Sequence, residues 1–100
     1  MPDSGLILGL PIKDGKVYNV PLPLKNTEYA YTLPSGVREF TIRSRSGLKV
    51  QLAFEAGKSG TEFLSVNSTW TEQNVDPSDT TTLYMRGAKS GDVVEILTWK

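Results

Sequence analysis

GDVVEILTWK, residues 91–100, is the stretch that says most about the fold of this chain. It opens with a Gly-Asp turn and continues as a strand whose large apolar side chains alternate across both faces. A strand of this kind is expected where both of its faces are covered. We expect Val94 and Ile96 to pack into the core of a sheet. The opposite face would then carry Val93, Leu97 and Trp99.

The most regular alternation outside this strand lies in residues 37–55. In VREFTIRSR, Phe40 and Ile42 would face the core. The outward side would carry Glu39, Thr41, Arg43 and Arg45. Ser46-Gly47 then turns the chain, and the inward residues of LKVQLAFE would be Leu48, Val50, Leu52 and Phe54. We predict that the two segments pair as a hairpin, which would place Lys49 near the two arginines.

Four further segments have strand character: TEYAYTL, TEFLSV, TWTE and TTTLYMRG. Turn signals separate the strands at intervals of roughly 8–12 residues, and no segment shows an apolar period typical of a helix. This pattern predicts an all-β protein. The architecture would be a small antiparallel β-sandwich of seven or eight strands, either jelly-roll or immunoglobulin-like.

Residues 1–26 differ in composition, because they contain four of the six prolines. Proline fixes φ and removes a backbone donor, so we predict an extended N-terminal arm here and a β-sandwich domain over residues 27–100. KDGKVYNV could turn as a short hairpin at Asp14-Gly15. The segment would either pack on its own domain as an irregular strand or lie across a neighbouring subunit, with Tyr18 at that contact.

The composition excludes several classes of function. Histidine and cysteine are absent, which removes the common general base, the usual zinc ligands and any disulfide. No phosphate-binding glycine motif is present. The 11 basic and 11 acidic residues balance, so no overall field attracts nucleic acid. We therefore expect a protein that is not an enzyme, has no catalytic residues, cofactor or metal, and binds neither a membrane nor a specific nucleic acid.

Three local features leave other interpretations open. Asp76 and Asp79 in DPSD could coordinate calcium, although aspartate is also common in turns. A basic cluster could bind a phosphate backbone or an acidic protein, or could simply be a solvated strand face; it comprises Arg38, Arg43, Arg45 and Lys49. Exposed aromatic side chains such as Trp70, Tyr84 and Trp99 could stack on sugars, although strand aromatics more often lie in a core or an interface.

The later part of the chain resembles small virion proteins encoded among the structural genes of tailed bacteriophages. The resemblance covers residues 27–99 and is carried by EYAYTLPSG, FTIRSR, KVQLAFEAGKSGTEFLSV, WTE, TLYMRG and VVEILTW. It rests on hydrophobic patterns and a few aromatic positions. The first 26 residues have no part in it.

The resemblance implies a β-sandwich without enzymatic activity that assembles in the bacterial cytoplasm and resides in the virion. It would decorate or cement the capsid, as a trimer, by bridging and stabilising neighbouring major capsid proteins. The expected interface residues are Val93, Leu97, Trp99, Arg43, Arg45 and Tyr18. Two alternatives remain open: a tail adaptor, collar or fibre-associated subunit, and a carbohydrate-binding module for host attachment.

Overall fold

The computed structural model describes residues 15–100, which form eight β-strands and no helix. The strands are β1 Lys16–Leu22, β2 Glu28–Thr32, β3 Glu39–Ser44, β4 Val50–Ala53, β5 Leu64–Val66, β6 Thr71–Asn74, β7 Thr82–Gly87 and β8 Asp92–Trp99. Their sequences are rich in Val, Ile, Thr and aromatic residues with period-2 alternation, as strand formation requires. The predicted all-β class is confirmed.

The strands form two four-stranded antiparallel sheets, with the orders β1-β8-β3-β6 and β2-β7-β4-β5. Each strand in the first half of the chain pairs with one in the second half: β1 with β8, β2 with β7, β3 with β6, and β4 with β5. The chain is thus a long antiparallel ribbon folded over on itself. This is the jelly-roll form of the predicted sandwich.

The hairpin predicted for residues 37–55 is wrong. β3 lies in the first sheet between β8 and β6, whereas β4 lies in the second sheet between β7 and β5. Period-2 alternation indicates which side chains face inward, but it does not say which strand is the neighbour. Ser46-Gly47 therefore carries the chain from one sheet to the other. Lys49, expected near Arg43 and Arg45 on one sheet, directly precedes a strand of the other.

The carboxylate of Asp92 fixes this crossover from within the protein. Asp92 is 3% exposed, and its oxygens accept hydrogen bonds from the Ser44 hydroxyl at 3.1 Å and the Ser46 hydroxyl at 2.8 Å. The backbone N–H groups of Ser46 and Val93 donate to it as well. A buried carboxylate needs such partners to offset its lost hydration. Gly47 follows with a φ of +84°, a conformation that glycine adopts without steric cost.

The core lies between the two sheets. Phe40 and Ile42 of β3 are fully buried, as are Val94 and Ile96 of β8, which confirms the predicted inward positions. The second sheet contributes Val50, Leu52, Val66, Leu83 and Met85. Full burial of an apolar side chain of this size stabilises a protein by ~1.5–3 kcal/mol. The shared apolar layer is therefore the main stabilising feature of the fold.

Leu48 and Phe54 do not belong to this core, contrary to the sequence prediction. They are 48% and 42% exposed, respectively. β4 contains only Val50–Ala53, so Leu48 lies in the crossover and Phe54 lies beyond the end of the strand. The alternation of a strand applies only while the backbone is extended, and both residues fall outside that range.

Part of the segment 1–26 is a regular edge strand. β1 pairs with β8 from Lys16 opposite Thr98 to Leu22 opposite Asp92, and Leu22 is fully buried. Pro21 is tolerated because an edge strand has one unpaired side. Residues 16–22 therefore follow the interpretation in which the segment packs on its own domain. The hairpin predicted at Asp14-Gly15 lies partly outside the described residues.

Candidate functional site

The solvent-facing side of the first sheet collects most of the residues predicted for an interface. Directly paired residues in antiparallel strands point to the same face, and Leu97 pairs with both Val17 of β1 and Thr41 of β3. Five predicted residues share this face: Val93, Leu97, Trp99, Arg43 and Arg45. We call it the outer face. Its other members are Val17, Asn19, Pro21, Glu39, Thr41, Glu72, Asn74 and Glu95, with Trp70 at its margin.

A row of polar side chains crosses the outer face and connects three strands. The Nε atoms of Arg43 and Arg45 each donate to a different oxygen of Glu95, both at 2.7 Å. Arg45 also donates from Nη2 to the side-chain oxygen of Asn19 on the edge strand, at 2.9 Å. The two guanidinium groups hold the pKa of the Glu95 carboxyl below its usual range, Arg43 most strongly. The row is an ordered surface with one net positive charge.

Trp70 extends the polar row to the margin of the face. The guanidinium carbon of Arg43 lies 4.6 Å from the centroid of the Trp70 ring, which is a cation–π contact. Trp70 is 46% exposed, so this stack lies at the surface. Because the guanidinium occupies one face of the indole, that face is no longer open to a sugar ring.

The far end of the outer face is acidic. Glu39 on β3 and Glu72 on β6 lie on adjacent strands, where Glu72 is directly opposite Thr41. Burial raises the pKa of the Glu39 carboxyl, and the hydrogen bond and negative charge of Glu72 raise it further, whereas a hydrogen bond with Trp99 lowers it. The carboxyl groups of Glu39 and Glu72 are thus held close together at this end of the outer face.

The apolar members of the outer face differ in exposure. Val17 is 68% exposed and Trp99 only 9%, while Val93 and Leu97 are half-buried. The structure places Val93, Leu97 and Trp99 on the face opposite Val94 and Ile96, as predicted from β8. Trp99 is already largely buried within this chain. That a second subunit covers this face remains a prediction.

Tyr18 lies on the other side of the sheet from the remaining predicted interface residues. It pairs with Ile96, whose side chain is in the core, and it is half-buried against that core. Its ring centroid is 5.8 Å from that of Tyr31 in the second sheet. Tyr18 therefore joins the two sheets at the β1 edge rather than contributing to the outer face.

The second sheet presents a different outward surface, because a loop of its own chain lies over it. The carboxylate of Glu28 on β2 accepts hydrogen bonds from the N–H of Gly57 at 2.9 Å, from the N–H of Ser59 at 3.2 Å, and from the Ser59 hydroxyl. Ser59 is 1% exposed. A Cβ at Gly60 would lie 2.8 Å from Nη1 of Arg86, so the loop lies directly against the Arg86 side chain. We call residues 54–63 the covering loop.

The other candidate sites are explained by local structure. Asp76 Oδ1 accepts hydrogen bonds from the backbone N–H and hydroxyl of Ser78, at 2.9 and 2.7 Å, which is a turn that aspartate commonly forms. These bonds lower the pKa of Asp76. Asp76 and Asp79 border an open depression of about 390 Å³ beside Phe54. Within residues 15–100, no three acidic side chains lie together in a way that could hold a metal ion.

Sequence reasoning missed Glu95, Asn19 and Glu72 as members of this site, and it placed Glu39 on the same side as Arg43 and Arg45 without including it in the interface. Glu95 lies two positions from Val93 and two from Leu97 in β8, so the alternation alone could have placed it on the outer face. Its pairing with Arg43 depends on β8 lying beside β3, which the sequence did not reveal. Asn19 and Glu72 come from the two edge strands of the sheet, β1 and β6. These strands are far apart along the chain, so no local sequence pattern shows that they share a face.

No protein family, curated protein or solved structure matches this chain. In the part of the chain that the structure describes, no helix has the length and apolar character needed to span a membrane. The function must therefore be argued from the outer face and from the residues themselves.

Proposed function

We propose that this chain is a non-enzymatic structural subunit of a bacteriophage virion that assembles through the outer face of its first sheet. The observation that carries the proposal is the convergence on one sheet face of five residues chosen from sequence patterns. The resemblance of residues 27–99 to phage virion proteins supplies the biological setting. The role is capsid decoration, in which the subunit bridges and stabilises major capsid proteins.

The composition of the outer face suits assembly better than catalysis. Half-buried Val93 and Leu97 offer apolar area, and the polar row holds its charged side chains in fixed positions. Association loses less side-chain entropy when the contacting groups are already ordered. The ion pairs of Arg43 and Arg45 leave further N–H donors of both guanidinium groups available to a partner.

The jelly roll does not by itself distinguish the candidate functions, because virion proteins and lectins both use it. The carbohydrate-binding alternative has less support from the side chains. Trp99 is largely buried, and Arg43 covers one face of Trp70. A tail location remains compatible with the same outer face.

The proposal is tested by locating and counting the protein in purified particles of the phage that encodes it. Quantitative mass spectrometry against the major capsid protein should find hundreds of copies per particle for a decoration subunit. About a dozen copies would assign it to a tail ring instead, and its absence from particles would overturn the virion role.

A binding experiment then tests the surface. Particles assembled without the protein should bind added wild-type chain and become more resistant to heat. Leu97→Glu places a charge in the middle of the outer face and should abolish binding. Ser65→Glu, an exposed position on the outward side of the second sheet, is the matched control and should bind normally. Equal binding by both variants would exclude the outer face as the assembly surface.

A further inference from the structure

The outer face has opposite charges at its two ends. Arg43 and Arg45, with one of their two charges neutralised by Glu95, form a basic end. Glu39 and Glu72 form an acidic end. Glu72 lies opposite Thr41, and Arg45 lies four residues further along the chain, so the two ends are ~13 Å apart at ~3.3 Å per residue. Along the strands, Thr41 and Leu97 are level with Glu72 and lie between Glu39 and Arg43.

A surface of this kind is complementary to itself. When two identical faces meet around a two-fold axis that lies in the contact plane at right angles to the strands, each end of one contacts the opposite end of the other. A uniformly acidic partner would meet repulsion at Glu39 and Glu72, and a basic one would meet it at Arg43 and Arg45. The distribution of charge thus favours a second copy of this chain over a partner of single sign.

We propose that in the free protein, before it meets a capsid, the outer face binds the same face of a second copy of this chain around this two-fold axis, with the basic end of each subunit against the acidic end of the other. The axis passes between Thr41 and Arg43 and brings the half-buried Leu97 side chains of both copies into the contact. This inference rests on the part of the proposed function that makes the outer face an assembly surface. It does not depend on a location in the virion.

The size of the face predicts a weak dimer. Four strands ~4.8 Å apart and ~20 Å long give a flat footprint of roughly 400 Å² per subunit, or about 800 Å² in total, which is below the ~1,000 Å² of a stable specific interface. The contact should therefore have a micromolar dissociation constant. Because charge pairing contributes much of its specificity, added salt should weaken it.

The first measurement is the native mass of the full chain by sedimentation velocity over a concentration series, at low and high ionic strength. A dimer that dissociates on dilution and weakens with salt is expected. A species that stays monomeric throughout, or the trimer that the resemblance implies, would overturn the two-fold contact. Neither result would bear on whether the protein is found in virions, so the two proposals can fail separately.

The decisive experiment uses charge reversal at Arg45 and Glu72, both of which are exposed. Arg45→Glu alone places two acidic ends in contact, and Glu72→Arg alone places two basic ends in contact. Each variant should dimerise about 100-fold more weakly than wild type, since a two-fold dimer contains the altered contact twice and each is worth roughly tenfold. Mixing the two variants restores opposite charges at both contacts, so a one-to-one heterodimer is expected.

The controls separate pairing from folding and from net charge. Both variants should keep the wild-type circular dichroism spectrum, because the substituted side chains lie at the surface. Lys58→Glu, in the covering loop of the other sheet, changes net charge as Arg45→Glu does and should leave dimerisation unchanged. Failure of the mixture to form heterodimers, with both variants folded, would refute the proposed contact.

Discussion

The outer face of the first sheet and the outward side of the second sheet are built from similar alternating strands, but they are completed in different ways. Part of the outward side of the second sheet, around Glu28 and Arg86, is overlaid by the covering loop, which the Glu28 carboxylate holds through Gly57 and Ser59. The first sheet instead presents the polar row of Asn19, Arg45, Glu95 and Arg43. The second sheet is thus shielded by a loop of its own chain, whereas the first sheet exposes ordered side chains that are suited to contact with a partner.

A carboxylate can either cover a surface or leave it exposed, depending on whether it binds backbone or side-chain groups. Glu28 binds backbone N–H groups and so positions a segment of chain, which removes a surface from solvent. Glu95 binds only side chains and so orders a surface without covering it.

Glu28→Ala should destabilise the protein by about 2–3 kcal/mol. The substitution leaves the hydroxyl and the N–H of the buried Ser59 without their acceptor, and unpaired buried donors are costly, whereas water can replace the carboxylate at the exposed N–H of Gly57. Urea denaturation measures the loss, and hydrogen exchange should show that the covering loop loses protection first. Glu62→Ala in the same loop removes only an exposed pair with Lys58 at 3.8 Å and should cost less than about 0.5 kcal/mol. Equal losses for the two variants would mean that Glu28 does not hold the loop.

Acid should weaken the covered surface through the same carboxylate. The hydrogen bond from the Ser59 hydroxyl, followed by that from Gly57 N–H, lowers the pKa of Glu28. A lowered folded-state pKa means that the contribution to stability is complete above the ordinary glutamate value of 4.5 and is lost as the pH falls below it. The difference in unfolding free energy between wild type and Glu28→Gln should therefore shrink between about pH 5 and about pH 3. A difference that stays constant over this range would contradict the assignment.

The polar row of the first sheet should contribute much less to folding. Arg43→Ala should lower the free energy of unfolding by about 1 kcal/mol or less, because its ion pair with Glu95 is partly exposed and its stack on Trp70 lies at the surface. A double-mutant cycle with Glu95→Gln, measured by urea denaturation, isolates the pair. A coupling above about 2 kcal/mol would mean that the polar row holds the fold together, as the Glu28 contacts do.

Glu39→Gln should stabilise the isolated subunit by a few tenths of a kcal/mol at neutral pH. Burial and the neighbouring Glu72 raise the pKa of Glu39, so ionisation is disfavoured in the folded state and an uncharged amide relieves that penalty. Thermal unfolding at low protein concentration measures the gain, and Glu55→Gln at an exposed position is the control. The same substitution should weaken the proposed dimer, because it removes charge from the acidic end. A gain in both folding and pairing would contradict the two-fold arrangement.

Much of the sandwich could be predicted from the sequence because period-2 alternation reports burial directly. Phe40, Ile42, Val94 and Ile96 were placed in the core on that basis alone. Strand pairing was not predictable in the same way, and the hairpin proposed for residues 37–55 failed. A jelly roll pairs strands that lie far apart along the chain, and no local signal encodes which of them are neighbours.

The sequence predicts the candidate site only as far as the even or odd position of a residue along its strand decides which face its side chain occupies. Val93 and Leu97 share a face because they are separated by an even number of strand positions, and the same holds for Arg43 and Arg45. The β8 residues and the β3 residues form one surface only because β3 pairs with β8, and the sequence does not reveal that pairing. Tyr18 lies apart from the other expected interface residues because it belongs to a regular strand whose even positions face inward, and a contact through it stays a prediction.

The folded-over ribbon has a consequence for how the chain is made. Its β4–β5 pair joins strands close in sequence, whereas β1 must wait for β8, which pairs Lys16 with Thr98. During synthesis the turn around β4 and β5 can form early, but the first sheet cannot close until nearly the whole chain has left the ribosome. Until then β1 and β3 both lack the strand that separates them, and open strand edges attract other chains. Translation that stalls before residue 92 would therefore release a product prone to aggregation, even though most of its strands are present.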